Sequence, residues 1–382
     1  MKTIGDPGLL RELEPCVARY VDRHLRTSRM WFPHQYVPWS TGSDFDGPLG
    51  GEPWDPGQAA LPAAVRDAMV VNLLTEDNLP SYHLEIVRHV GRDGPWGTWV
   101  HRWTAEEDRH SHALRAYLTA TRSVDPIALE EERMRHVSTG FRFDHDDSLL
   151  SALSYVAVQE LATRVAHRNT GRACREPAGA GLLARIAADE NLHMVFYRDV
   201  CSQALELAPE AFIRAFTDVL TSFRMPGHTL RGYGARAGRI AAFGIFDPRI
   251  HHDQVVVPLV RSLGLLERGA LHPEGARAQD DLGRHLEDSA DRADRFDRLR
   301  PRLARRHPGG TERPAAAPEQ AFPTIPRVRR PAPGDTAHRA ARPGPAAADD
   351  GCPSLPPPVH PLDRDNGPRP HPPESENDAR RT

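Results

Sequence analysis

The sequence predicts an all-α protein: a helical bundle with additional helices, followed by a disordered C-terminal tail. Three observations carry that reading. Apolar residues recur at three- and four-residue steps through most of the first 300 positions. No stretch alternates with period two for long enough to build a sheet. Composition also breaks near residue 308, because 308–382 holds 18 of the chain's 36 prolines and a single aromatic, Phe322. A segment of that kind buries too little apolar area to offset its ordering entropy. Residues 1–307 are therefore expected to form the folded domain and 308–382 a Pro-rich disordered tail.

The elements follow in chain order. Residues 61–90 support a long helical stretch, with Pro80 at a kink or break. Residues 99–121 support a second. Asp147 or Ser148 is placed to cap a third, whose Leu149, Leu150, Leu153, Val156, Ala157, Leu161 and Val165 form one face. Leu182, Leu183, Ile186, Ala187, Val195 and Val200 do the same in a fourth. Pro209-Glu210 suits the start of the next, over 210–223. Helical patterns return at 235–246 and 274–299. One short β exception is expected at 254–260, a run of Gln-Val-Val-Val-Pro-Leu-Val.

Charge and cysteine usage narrow the class. The net charge of −3 leaves no basic field for nucleic acid. Lys2 is the only lysine, so nearly all cationic side chains are arginines, which together with the Ala, Gly and Pro richness reads as coding bias. The four cysteines have no Cys-x-x-Cys spacing, which argues against a disulfide scaffold or a zinc knuckle. No apolar run reaches 18 residues, and the first residues lack a signal-peptide core. A soluble, cytoplasmic protein without a transmembrane segment is expected.

Two Glu-x-x-His units carry the chemistry, Glu107 to His110 and Glu190 to His193. On a helix, positions i and i+3 share a face, so each pair can reach one metal. Glu76 lies 31 residues before Glu107, and Glu160 lies 30 residues before Glu190. About thirty residues is one helix, a turn and the return to the same level in a neighbouring helix. Glu76, Glu106 and Glu107 could instead be solvated helix residues, and Arg164 or Arg185 could pair with a buried Glu160 or Glu190. Glu160, however, sits in an almost wholly apolar run, where a lone carboxylate is costly. Four carboxylates and two imidazoles suit two divalent ions, with two carboxylates bridging. Iron and manganese fit equally on ligand grounds. This is the arrangement of ferritin-like di-iron and di-manganese proteins. Glu106, one step round the helix from Glu107, is expected to point away from the ions and to matter little.

The surrounding residues add a resemblance. Trp103-Thr104-Ala105-Glu106-Glu107-Asp108-Arg109-His110 is similar to the Trp-Thr-Ala-Glu-Glu-Asn-Arg-His signature of the soluble acyl-ACP desaturases (ACP, acyl carrier protein), the stearoyl-ACP desaturase family. Thr75 to Tyr82, Gln159 to Thr163, His167 to Thr170, Ala187 to His193 and Met225-Pro226-Gly227-His228 also resemble that family, over about 31–300. The resemblance implies a ferritin-like fold and two iron ions (Fe2+/Fe3+). It makes Glu76 and Glu160 terminal ligands, Glu107 and Glu190 bridging ligands, and gives His110 and His193 one iron each. It places Thr163 near the oxygen-binding side, where a plain core threonine is the other reading. Trp31, Asp189 and His110 line up with an electron path from the surface, although Trp31 could equally be a packing residue.

The activity implied is introduction of a cis double bond into an acyl chain carried on acyl carrier protein, using O2 and two electrons from reduced ferredoxin. A homodimer is implied as well. No side-chain base can break an unactivated methylene C–H bond, so the protein's part is ligands, a dry channel and positioning. No nucleotide-binding Gly-x-Gly-x-x-Gly follows a strand. Arg164, Arg168 and Arg172 form a four-residue-step stripe that either receives the acidic carrier protein or is simply a solvated helix face. The sequence departs from the family at Asp77, Asp108 and Asn191-Leu192, and its His83 to Arg88 stretch is more polar, so chain length and double-bond position do not carry over. Rival readings are another ferritin-like oxidase, an N-oxygenase or a ribonucleotide-reductase-like protein, and a non-enzymatic iron-binding or storage protein.

Overall fold

The computed structural model describes residues 6–143 and 147–306; the Pro-rich 308–382 lies outside the described residues. Twelve helices account for most of the described chain. They are α1 (Asp6–Thr27), α2 (Ala63–Glu76), α3 (Leu79–Val90), α4 (Gly94–Ala120), α5 (Pro126–Thr139), α6 (Leu149–Ala173), α7 (Pro177–Leu207), α8 (Pro209–Ser222), α9 (Tyr233–Phe243), α10 (Pro248–His251), α11 (Val257–Leu263) and α12 (Pro273–Arg306). Among the described residues there is no strand, only an isolated bridge between Phe45 and Glu52. None of the described helices is long and apolar enough to cross a membrane.

Local chemistry sets the boundaries. Pro80 falls in the first turn of α3, so the expected break lies at Asp77 and Asn78, between α2 and α3. Of the two expected caps, Ser148 begins α6, its Oγ accepting from the Ser151 amide at 3.2 Å. Glu176 begins α7, its carboxylate accepting from the Ala178 and Gly179 amides. Pro209 opens α8 as the sequence indicated. The stretch 254–260 is helical rather than β. A π-helical turn at His252–Val256 leads into α11, and Val255, Val256, Leu259 and Val260 are buried. Short apolar runs have no period that separates strand from buried helix, and here packing decides.

Helices α2, α4, α6 and α7 form the bundle, with α6 and α7 the most extensively packed pair. Helix α1 lies on α4 and α7, α8 covers α6 from another side, and α12 packs on α8. The apolar core divides into two clusters. Along α4 one cluster takes Trp96, Trp99, Val100 and Trp103, and the other takes Ala113, Leu114, Tyr117 and Leu118. Along α7 the division falls between Ile186 and Met194. The polar band between the two clusters is where the repeated motifs lie.

Candidate metal centre

Helical spacing assembles the repeat. Glu107 and His110 are one turn apart on α4, and Glu190 and His193 one turn apart on α7. Glu76 ends α2, and Glu160 sits in mid-α6. All six are buried, with Glu160, His110 and His193 fully enclosed. Their ligand atoms form two overlapping groups, each within 4.8 Å: Glu76, Glu107, His110 and Glu190, then Glu107, Glu160, Glu190 and His193. Glu107 and Glu190 belong to both, so the geometry has room for two ions sharing two carboxylates.

Hydrogen bonding tests whether these residues suit a metal. Glu107 Oε1, His110 Nδ1, Glu160 Oε2, Glu190 Oε1 and His193 Nδ1 are all buried without a hydrogen-bond partner. They nonetheless converge. His193 Nδ1 is 2.7 Å from Glu107 Oε1 and 3.6 Å from Glu160 Oε2, and His110 Nδ1 is 3.4 Å from Glu107 Oε2 and from Glu190 Oε1. An unsatisfied buried polar atom costs about 1–3 kcal/mol, and more when charged. Five in one pocket are what a cation would gather, so the donor set fits a metal centre.

Charge in the metal-free cluster is balanced by protons. Burial, followed by the negative charges of Glu107 and Glu190, holds the Glu76 carboxyl well above the carboxylate range. Burial does the same to Glu160, reinforced by Glu107 and Glu190 against the opposing pull of the nearby His193 imidazole. Glu107 is also pushed up by burial, but the two imidazoles beside it, His193 first, outweigh that and leave it low. Burial opposes charge on His110, yet the Asp189 carboxylate at Nε2 and the Glu107 and Glu190 carboxylates beside Nδ1 raise it well above the usual imidazole value.

Around the six lies a second layer. The Trp31 indole donates to Asp189 Oδ2 at 2.7 Å, and the same oxygen lies 3.3 Å from His110 Nε2. Trp31 and His110 stack at 6.3 Å, and Arg109 covers the indole at 4.6 Å. Trp31, Asp189 and His110 are therefore contiguous, and Trp31 is buried beneath that guanidinium. Arg185 pairs with Asp189, not with Glu190. Glu160 accepts from the Trp103 indole at 3.0 Å. The Thr163 hydroxyl is within 3.1 Å of Glu190 Oε2 and of its own helix carbonyls. It also lines a largely apolar cavity of about 70 Å³ with Thr75, Met225, Pro226, Ile240 and Phe246.

Three expectations need correction. Glu106 is neither solvated nor a bystander. It is 3% exposed, and its Oε2 lies 2.9 Å from both His193 Nε2 and His24 Nε2. It does point away from the shared carboxylates, but onto the far side of a proposed ligand ring. Glu76 and Glu107 are buried as well, which sets aside the alternative reading of them as solvated helix residues. The arginine stripe on α6 is not an open ridge, because Arg164 and Arg168 are half-buried and Arg168 donates to Gln254. Sequence reasoning also gave no role to His167, whose Nε2 is 3.1 Å from Glu76 Oε1, or to His24. The periodic buried stripe Leu9, Leu13, Val17, Val21, His24 was the available signal for the latter.

Comparison with known proteins identifies the family. Residues 6–308 match the family described as fatty acid desaturase. The chain belongs to the fatty acid desaturase family. Within it, a Mycobacterium tuberculosis H37Rv protein whose assigned name is acyl-[acyl-carrier-protein] desaturase DesA1 is 46% identical over 301 residues, 77% of this chain and 89% of its own. Acyl-[acyl-carrier-protein] desaturase 4, chloroplastic, of Oryza sativa subsp. japonica is 31% identical over 72% of this chain and 73% of its own. The X-ray structure of DesA2 from M. tuberculosis H37Rv, described as an acyl-ACP desaturase, matches with a TM-score of 0.59 at 32% identity, over 71% of this chain and 98% of that one. As a member of the desaturase family the protein is an oxidoreductase, with the all-α, ferritin-like fold expected from its sequence.

Proposed function

We propose that the protein is an acyl-ACP desaturase that places a cis double bond in a fatty acyl chain carried on acyl carrier protein. Two iron ions would be held by Glu76, Glu107, His110, Glu160, Glu190 and His193, of which Glu107 and Glu190 belong to both ligand groups. The observation that carries the reading is the pair of overlapping buried ligand groups beside an apolar cavity. The balanced reaction takes –CH2–CH2–, O2, two electrons and two protons to –CH=CH– and two waters. When bound, the irons supply the O2 chemistry that no side chain of this set can perform.

The chain's own residues do the rest. The largely apolar cavity beside Thr163 is the space that would receive acyl methylenes, and Thr163 presents a hydroxyl between that space and Glu190. Trp31, Asp189 and His110 offer a short bonded route inward for electrons. Reduced ferredoxin, an acidic carrier, is the proposed donor. Residues 24–43 contain no carboxylate, while Arg26, Arg29, Met30, Phe32 and Trp39 are exposed around Trp31, which suits an acidic partner with an apolar contact.

The test is aerobic turnover of the iron-loaded protein with reductant, ferredoxin and a panel of acyl-ACPs, read by mass spectrometry. A mass loss of about two daltons per acyl chain, the two hydrogens removed, is the expected product. O2 uptake that stops once the added iron is oxidised would instead mark an iron-storage protein.

A further inference from the structure

The two motifs share more than Glu-x-x-His. Each shared glutamate is preceded by a second carboxylate, Glu106 before Glu107 and Asp189 before Glu190. The preceding residue is rotated by about 100° on the helix, so it faces a different neighbour. In both cases that neighbour is the imidazole of the opposite motif. Asp189 from α7 meets His110 Nε2 on α4, and Glu106 from α4 meets His193 Nε2 on α7. Each ring therefore turns Nδ1 toward the shared glutamates and is held at Nε2 from the other helix.

The Glu106 side has its own bracing. Its Oε2 also meets His24 Nε2 at 2.9 Å, and its Oε1 meets Arg102 at 2.5 Å. His24 comes from α1, outside the four-helix bundle, with its ring edge-on to Trp99 and stacked on His193 at 5.8 Å. An imidazole that binds a cation through Nδ1 must carry its proton on Nε2, and an ionised carboxylate at Nε2 is the partner that enforces this.

We propose that Glu106, braced by His24 and Arg102, is the positioning residue for the metal position served by His193, as Asp189 is for that served by His110. The proposal rests on the two-metal reading above. It assigns each ion a separate support, so the two are separable by substitution. Outer partners of this kind typically change metal affinity by about 10–100-fold.

The experiment is anaerobic titration of the full chain with Co2+, followed by its d–d absorption, alongside melting of the metal-free protein. The wild type should take up two ions. Glu106→Ala should weaken one of them by about 10–100-fold and leave the other unmoved. Asp189→Asn should weaken the other ion instead. His24→Phe, which keeps volume but not the bond, should shift the same ion as Glu106→Ala by less, and Glu106→Asp should recover part of the affinity. If Glu106→Ala does not fold, Glu106→Gln carries the test with a smaller shift of the same sign. Two ions bound as in the wild type by a folded Glu106 variant, or equal loss of both without rescue by Glu106→Asp, overturns the proposal alone. A wild type that takes up no pair of ions overturns the metal reading and the proposal together.

Discussion

The proposed ligands hold protons where they are meant to hold metal. Glu76, Glu160, His110 and His193 all have raised pKa values in the metal-free protein, by burial and neighbouring negative charge for the glutamates and by carboxylate partners for the histidines. A raised folded pKa contributes stability below the unfolded value, and that contribution is lost as pH rises through the folded pKa. The metal-free protein should therefore lose stability from Glu76 and Glu160 as pH rises above the carboxylate range and from His110 and His193 as it rises above the imidazole range, with Glu107 acting in the opposite sense only at low pH. Metal binds carboxylate and neutral imidazole, so uptake should release protons and tighten as pH rises. Calorimetry in buffers of differing ionisation enthalpy measures the release, and uptake without it would mean that other atoms bind the ion. Within the set, Glu107→Gln or Glu190→Gln should cost both irons, and Glu76→Gln or Glu160→Gln mainly one. Iron content per chain decides this ordering. The six residues were legible because helix spacing is a local property. Glu106 and His24 were not, because their meeting spans 82 residues and depends on how α1 lies against α4.

At the scale of elements, capping and close approach fix where α7 begins. Glu176 accepts from two α7 amides and from the Tyr117 hydroxyl of α4 at 2.7 Å, so a single carboxylate ties the two histidine-bearing helices together. Glu176→Ala should cost about 1–2 kcal/mol by loss of the cap. Gly179 sits against that contact, and a Cβ there would lie 2.5 Å from Tyr117 Oη. Gly179→Ala should therefore destabilise by about 1–3 kcal/mol through overpacking. Urea midpoints check both, and an unchanged midpoint for Gly179→Ala would show that Tyr117 moves aside freely. Periodicity, Pro80, Ser148 and Pro209 revealed most helices in advance. The 254–260 run misled because its valines are buried whichever conformation they adopt, and only the surrounding helices choose between them.

At the scale of the whole molecule, a chain ending near residue 309 should fold and retain its metal content, because the Pro-rich remainder has almost no aromatic or long apolar side chains to pack. Loss of helicity on truncation would show that the tail packs on the domain. If the proposed acidic carrier docks on the acid-free stretch around Trp31, electron delivery should slow as salt rises; stopped-flow reduction at increasing ionic strength measures it. The crossed grip of Glu106 on His193 and Asp189 on His110 also bears on biosynthesis. A ribosome that has released the chain only through α5 has exposed Glu76, Glu107 and His110 but not Glu160, Asp189, Glu190 or His193. The partial chain thus offers an ion two solvated carboxylates and one imidazole in place of the full set of six. On the two-metal reading, loading follows the docking of α7, and correct metallation follows from the order in which the chain is made.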